Sequence, residues 1–138
     1  MEYWEDRPLE SYYSQGDILV VDDEEAVRTV ASLTLEGCGF RVQTAGDGRE
    51  GLQTYREQAD RIRAVILDLT MPVLGGDEVL AELRNSPGPG ATVPVLLSSG
   101  YSSSDIAGNL QRYGPIQFLQ KPYSPLDLIQ KIRACLGE

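Results

Sequence analysis

Residues 64–72 read Ala64-Val65-Ile66-Leu67-Asp68-Leu69-Thr70-Met71-Pro72, an apolar run that ends on an acid and is followed by a proline. The four apolar residues at its start, two of them β-branched, predict a short strand that is buried on both faces. Such strands are typical of parallel sheets that carry helices on each side. Asp68 then stands at the carboxyl end of a buried strand, where open parallel sheets bind their ligands.

The same pattern recurs on both sides of this run, because short apolar runs alternate with helical patterns along the chain. The other predicted strands cover residues 17–21, 40–44, 93–97 and 116–119, and the predicted helices cover 24–36, 47–58, 78–84, 105–113 and 126–134. Strands that alternate with helices form right-handed βαβ units. We therefore predict an α/β fold with five parallel strands and five helices that cover both faces of the sheet.

Composition excludes several classes of function. The chain has 138 residues, enough for one domain, and its 21 acids against 12 bases give a net charge of −9. With only two lysines and ten scattered arginines, it lacks the basic patch that nucleic acids or anionic membrane surfaces require. The absence of histidine excludes Ser-His-Asp catalysis, histidine-ligated zinc and a phosphohistidine within this chain.

The cysteines and the amino terminus give two further expectations. Cys38 and Cys135 are too far apart in sequence for a CxxC pair, so we expect two buried thiols in a reducing, cytoplasmic compartment without a disulfide. Residues 1–16 are acidic, lack a helical or strand period, and yet hold four aromatic residues. We predict that they form a tail or linker, either left from a longer protein or docked through its aromatics, and that residues 17–138 form the domain.

Polar residues follow the buried strands at their carboxyl ends. They are Asp22 and Asp23 after the first strand, Asp68 after the third, Ser98 and Ser99 after the fourth, and Lys121 after the fifth. Parallel strands bring these side chains to one rim of the sheet. Adjacent carboxylates repel unless cations intervene, and an all-oxygen ligand set favours Mg²⁺ or Mn²⁺.

The charges at this rim suit a phosphoryl group. Three aspartates, one divalent cation and Lys121 sum to zero formal charge, and the two cations can draw charge from phosphoryl oxygens. No glycine-rich phosphate loop follows the first strand, so the rim is not expected to hold a nucleotide by its phosphates. One aspartate is left to act as the nucleophile.

As a set, these motifs resemble the receiver domain of two-component response regulators, over residues 17–136. The motifs are Ile18–Asp23, Leu67–Pro72 with Gly75-Gly76 behind it, Pro94–Tyr101 and Phe118–Pro122. The resemblance implies a flavodoxin-like, doubly wound fold with strand order 2-1-3-4-5.

The resemblance also implies roles for individual residues. Asp68 would be the phosphoacceptor, and Asp22 and Asp23 would bind Mg²⁺ together with Asp68. The backbone carbonyl of Thr70 would be a further metal ligand. Lys121 would contact the phosphoryl group, and the Lys121-Pro122 bond would be cis.

Two residues are expected to act as a switch. Adjacent serines in a strand point to opposite faces, so only one of Ser98 and Ser99 can serve. The family places the switch hydroxyl just before a small residue, which selects Ser99, before Gly100. The aromatic switch position, three residues before Lys121, is Phe118.

The function implied is a phosphoacceptor receiver domain, either acting alone or taken from a hybrid sensor histidine kinase. Its donor would be a histidine kinase or a histidine phosphotransfer domain. It would promote its own phosphorylation and dephosphorylation, although it carries no kinase catalytic motif and no output domain. The resemblance leaves open a homodimer through the face of the fourth predicted helix, the fifth strand and the last helix.

Two alternatives remain open. The first is a receiver-shaped interaction module that is never phosphorylated. The second is an aspartyl-phosphate phosphatase of the haloacid-dehalogenase type, which needs a second aspartate two residues after the nucleophile. Thr70 occupies that position here.

Overall fold

The structure, a computed structural model, describes residues 15–100 and 110–138. It contains one sheet of five parallel strands in the order β2-β1-β3-β4-β5, as predicted. The strands are β1 (Asp17–Val21), β2 (Arg41–Ala45), β3 (Ile62–Asp68), β4 (Val95–Ser99) and β5 (Ile116–Gln120).

Four α-helices lie within the described residues. They are α1 (Glu25–Glu36), α2 (Gly48–Gln58), α3 (Gly76–Asn85) and α4 (Pro125–Cys135), with 3₁₀ turns at Pro89–Ala91 and Gln111–Tyr113. Most of the helix predicted at 105–113 lies outside the described residues, as does the predicted tail up to residue 14. Among the residues described, no helix has both the length and the apolar composition needed to cross a bilayer.

The sheet separates two apolar cores, because side chains alternate between its faces along each strand. Val65 and Leu67 of β3 pack into the core beneath α2 and α3. Ala64 and Ile66, from the same strand, pack into the core beneath α1 and α4. This double burial explains why β3 is almost entirely apolar up to Asp68.

The apolar side chains of α1 do not all face the sheet. Its buried residues are Ala31 and Leu35, four positions apart on one stripe. Val30 and Leu33, two large apolar residues of the same helix, are 47% and 67% exposed. Sequence periodicity predicts that this helix exists, but it does not predict which side of the helix faces the sheet.

The last helix differs from its sequence pattern in a similar way. Leu128 and Ile132 are buried, whereas Leu126, which also marked the predicted helix, is exposed. Cys38 and Cys135 are unpaired, as expected, but both are only half-buried, so the prediction of buried thiols was wrong. Burial still raises the pKa of the Cys135 thiol to about 11.

The boundary predicted after residue 16 falls at the start of the described chain. The backbone N–H of Gln15 donates to the carbonyl of Gly39 at 3.1 Å, and the carbonyl of Gly16 accepts from Arg41 at 2.8 Å. Arg63 also donates to the carbonyl of Gln15 at 2.6 Å. The last two residues of the predicted tail therefore already bond to the sheet and its loops.

Candidate functional site

Asp22 and Asp68 lie side by side at the rim because β1 and β3 are neighbours in the sheet. Val21 pairs with Leu67, so the residues that follow these two emerge at the same height. Both aspartates are buried, whereas Asp23 is exposed. Carboxylate oxygens of the three residues all lie within 4.8 Å of one another. The structure thus brings together the acids that the sequence placed at strand ends.

Lys121 completes this cluster from the end of β5. Its Nζ lies 2.8 Å from Oδ2 of Asp22, 3.3 Å from Oδ2 of Asp68 and 3.2 Å from Oε1 of Glu24. The backbone N–H of Lys121 donates to the carbonyl of Ser99 at 2.7 Å, which ties it to β4. The Lys121-Pro122 bond is cis, as expected.

The electrostatics couple the acids to Lys121. Burial raises the pKa of Asp22 and the charge of Asp68 adds to this, although hydrogen bonds from Lys121 and from the Glu24 backbone oppose it. Burial alone would lower the pKa of Lys121, but the hydrogen bond and charge of Asp22, with Asp68 and Glu24, raise it above its ordinary value. Lys121 therefore stays charged and supplies the positive charge that the buried acids require.

The orientation of the Asp68 carboxylate is set by its own loop. Its Oδ1 accepts from the backbone N–H of Thr70 at 3.1 Å and from the Thr70 hydroxyl at 3.3 Å. Oδ2 is the oxygen that faces Lys121. The role of the Thr70 carbonyl as a metal ligand stays a prediction.

Gly76, at the start of α3, packs directly against this loop. A Cβ at Gly76 would lie 2.3 Å from the carbonyl oxygen of Asp68 and 2.8 Å from Cα of Leu69. The backbone N–H of Gly76 donates to the Leu69 carbonyl at 3.2 Å. A glycine is required here because α3 approaches the end of β3 too closely for a side chain.

The two serines of β4 are both buried but belong to different faces of the sheet. By alternation, Ser98 follows Leu96 on the α1 and α4 face, and Ser99 follows Leu97 on the α2 and α3 face. Phe118 pairs with Leu97 and packs against the same core as that residue. Ser99 and Phe118 thus share one face of the sheet, while their assignment as a switch stays a prediction.

The family model for the response regulator receiver domain matches residues 18–133. This chain belongs to that family. The prediction of a receiver domain of two-component systems is confirmed, and so is its flavodoxin-like fold.

Curated relatives of this receiver domain include sensor kinases and response regulators. It is 33% identical over 127 residues to the CAI-1 autoinducer sensor kinase/phosphatase CqsS of Vibrio cholerae, covering 92% of this chain and 18% of the kinase. It is 39% identical over 120 residues to the response regulator MprA of Mycolicibacterium vanbaalenii, covering 86% of this chain and 49% of the regulator. The chain therefore spans half or less of the length of these relatives.

Solved structures of receiver proteins share the fold of this chain. The chemotaxis protein CheY4 of Vibrio cholerae matches with a TM-score of 0.81 and 30% identity, over 88% of this chain and 98% of that protein. The receiver domain of the hybrid histidine kinase CckA matches with a TM-score of 0.71 and 34% identity, over 88% and 99%. The resemblance to receivers thus extends to those of hybrid kinases.

Sequence reasoning missed Glu24 as a residue of the receiver rim. It stands in a run of four acids, residues 22–25, at the start of the helix predicted over residues 24–36. The structure places it at the N-cap of α1 without a side-chain capping bond, and its carboxylate contacts Lys121 instead. The run of four acids is the sequence feature that could have indicated Glu24 as a further acid of the rim.

The sequence analysis also gave no role to the hydroxyl groups of Tyr123 and Ser98. The Tyr123 hydroxyl and the Ser98 hydroxyl are buried and have no hydrogen-bond partner among the described residues. Burial, together with the charge of Asp22, raises the pKa of Tyr123 to about 12. No sequence signal marks a buried hydroxyl as unpartnered, because that depends on what packs around it.

Proposed function

We propose that Asp68 of this receiver domain accepts a phosphoryl group from a phosphohistidine on a histidine kinase or a phosphotransfer protein. The observation that carries the proposal is the position of the Asp68 Oδ2 atom, which lies 3.3 Å from Lys121 within a cluster of three aspartates. An Asp68 carboxylate oxygen bonds to phosphorus as the phosphorus–nitrogen bond to the donor breaks. The electron pair of that bond leaves with the donor imidazole.

The donor histidine must come from outside these 138 residues, which contain none. Receiver domains take their phosphoryl groups from histidine kinases or phosphotransfer proteins. The exposed Val30 and Leu33 give α1 an apolar surface. In this proposal these two side chains form part of the surface that the donor protein contacts.

Mg²⁺ is the cofactor we propose, and the donor set fits it. Asp22, Asp23 and Asp68 offer only carboxylate oxygens, all within 4.8 Å of one another, which is the ligand type that Mg²⁺ and Mn²⁺ prefer. When bound, the ion would offset the charge of these carboxylates and of the incoming phosphoryl oxygens. In this proposal the Thr70 carbonyl is a further ligand.

Each remaining residue has a separate task. The two hydrogen bonds from Thr70 hold Oδ1 of Asp68 and so orient the carboxylate. Lys121 balances the negative charge at Oδ2 and contacts the phosphoryl group once it is bound. The same groups serve in the return reaction with water, so the domain promotes its own dephosphorylation.

We assign the switch to Ser99 and Phe118. New phosphoryl oxygens are strong acceptors, and a hydrogen bond from the Ser99 hydroxyl would favour one of two packings near Phe118. The output would then be read on β5 and α4, together with the helix that the sequence predicts before β5, and a homodimer is proposed through the same region. Amide NMR with and without beryllofluoride tests this, since shifts confined to the surroundings of Asp22 and Asp68 would contradict it.

A cytoplasmic location and an origin in a hybrid histidine kinase complete the proposal. The similarity to the receivers of CqsS and CckA supports the second point. The phosphatase alternative lacks support, because the Thr70 hydroxyl stands where that chemistry needs a second carboxylate.

Intact-mass spectrometry after treatment with acetyl phosphate and Mg²⁺ tests the central assignment. The wild-type chain should gain one phosphoryl group, and Asp68→Asn should gain none. Asp60→Asn, which removes an exposed acid, is the matched control and should be labelled normally. Labelling of Asp68→Asn at the wild-type level would refute the assignment, and an unlabelled wild type would favour an interaction module.

A further inference from the structure

Glu24 differs from the other acids that contact Lys121. Three carboxylates lie within 3.3 Å of Nζ, but only Asp22 and Asp68 belong to the cluster that fits a metal ion. Glu24 reaches Lys121 from the start of α1, at 3.2 Å, and its side chain is 61% exposed. It is therefore a contact of Lys121 at the entrance of the site.

The charge of the rim shows what this contact does. With one divalent cation bound, the three aspartates and Lys121 would sum to zero formal charge, so Glu24 would leave the rim with one excess negative charge. A phosphodonor is itself an anion and is repelled by that charge. With a metal ion held by the aspartates, Glu24 would still place its negative charge beside Lys121.

We propose that Glu24 competes with the phosphoryl group for Lys121 and so slows the phosphorylation of Asp68 by anionic donors. This inference rests on the proposed function, because it presumes that Asp68 is the acceptor. Glu24 acts through Lys121 and is thus a positioning residue. It makes the receiver less responsive to small anionic phosphodonors.

The local structure does not need this carboxylate. The Glu24 side chain makes no capping bond at the start of α1. Asp22 accepts at Oδ1 from the backbone N–H of Glu24, at 2.9 Å, and a substitution keeps that bond. Glu24→Gln therefore removes the charge and leaves the helix start in place.

The experiment compares Glu24→Gln with Glu25→Gln. Glu25 is the next residue, is also exposed and acidic, and forms no ion pair with Lys121 in the described part of the chain. Labelling rates are measured at fixed Mg²⁺ with acetyl phosphate and with the less highly charged phosphoramidate. Thermal melts confirm that both variants fold.

We expect Glu24→Gln to be labelled about two- to fivefold faster by acetyl phosphate, the range that one exposed ion pair implies. The gain should be smaller with phosphoramidate and should shrink as the salt concentration rises. Glu25→Gln should match the wild type. Beryllofluoride should bind Glu24→Gln more tightly by a similar factor.

Several results would overturn the inference. An equal gain in both variants would show a diffuse charge effect, and an unchanged or slower Glu24→Gln would show that Glu24 does not restrain Lys121. Failure of the proposed function has a different signature, because the wild type would then stay unlabelled or Asp68→Asn would still be labelled.

Discussion

Lys121 lies closer to Asp22 than to the proposed phosphoacceptor. Its Nζ is 2.8 Å from Oδ2 of Asp22 and 3.3 Å from Oδ2 of Asp68. The ammonium group thus bridges two buried carboxylates, and burial, together with the charge of Asp68, raises the pKa of Asp22. The resting site is held together by this bridge, and a bound cation would take over part of its role.

Removal of the bridge should make stability depend more strongly on metal than it does in the wild type. Lys121→Met leaves two buried carboxylates without their counterion, so we expect the free energy of unfolding in metal-free buffer to fall by about 1.5–3 kcal/mol. Added Mg²⁺ should recover much of the loss. Urea denaturation with EDTA or with Mg²⁺ measures both effects. Lys131 is the other lysine of the chain, and Lys131→Met should show neither the loss of stability nor its recovery by Mg²⁺. An equal loss in Lys131→Met would contradict the role of Lys121 as the counterion of Asp22 and Asp68.

Mg²⁺ should stabilise the wild-type protein through the three aspartates. A ligand that binds only the folded state at ten times its Kd adds about 1.4 kcal/mol. The thermal melting temperature should therefore rise with Mg²⁺ in the wild type and in Asp60→Asn. Asp23→Asn, which removes an exposed member of the cluster, should lose most of the rise. An undiminished rise in that variant would place the ion elsewhere.

The buried hydroxyl of Tyr123 should cost stability, above all at alkaline pH. Because its pKa is raised to about 12, the folded state keeps the phenol proton while the unfolded chain, near pH 10, releases it. Folding stability should then fall as the pH rises from 10 to 12. Tyr123→Phe should reduce this fall and raise stability at neutral pH by about 1 kcal/mol, since it removes a buried hydroxyl that has no hydrogen-bond partner among residues 15–100 and 110–138.

Urea denaturation at pH 7 and pH 11 checks this prediction. Tyr113→Phe is the control, because the Tyr113 hydroxyl accepts a hydrogen bond from Arg112 at 3.1 Å. It should gain no stability at pH 7. A Tyr123→Phe variant that is less stable than the wild type at pH 7 would show that this hydroxyl has a partner in solution.

Gly76 should tolerate no side chain. A Cβ added at Gly76 would lie 2.3 Å from the carbonyl oxygen of Asp68. Gly76→Ala must therefore move α3 or the loop that carries Asp68. We expect a loss of about 1–3 kcal/mol and slower labelling by acetyl phosphate. Gly37→Ala is the control, because a Cβ at Gly37 would lie 3.4 Å from the carbonyl oxygen of Thr34, an ordinary contact. The φ of Gly37, −62°, is also helical. Equal stability of the two variants would contradict the close packing.

The sequence alone was sufficient for the parallel sheet and for the group of residues at its rim. Asp22, Asp68 and Lys121 each lie at the carboxyl end of a strand, and parallel strands end together because their backbone hydrogen bonds hold them in register. Knowing which residues end the strands is then enough to place them at one edge. The strict two-residue period likewise assigned Ser98 and Ser99 to opposite faces.

Only the tertiary structure decided which of these side chains touch and which surfaces stay exposed. Side-chain directions across separate elements decide that Lys121 lies closer to Asp22 than to Asp68 and that it also contacts Glu24. They also decide that the Tyr123 hydroxyl is buried without a hydrogen-bond partner in the described part of the chain. The exposure of Leu33 depends on how α1 is rotated against the sheet. Hydrogen-bond register propagates along a strand and can be predicted from its pattern, whereas contacts of about 3 Å between elements depend on packing that no single segment encodes.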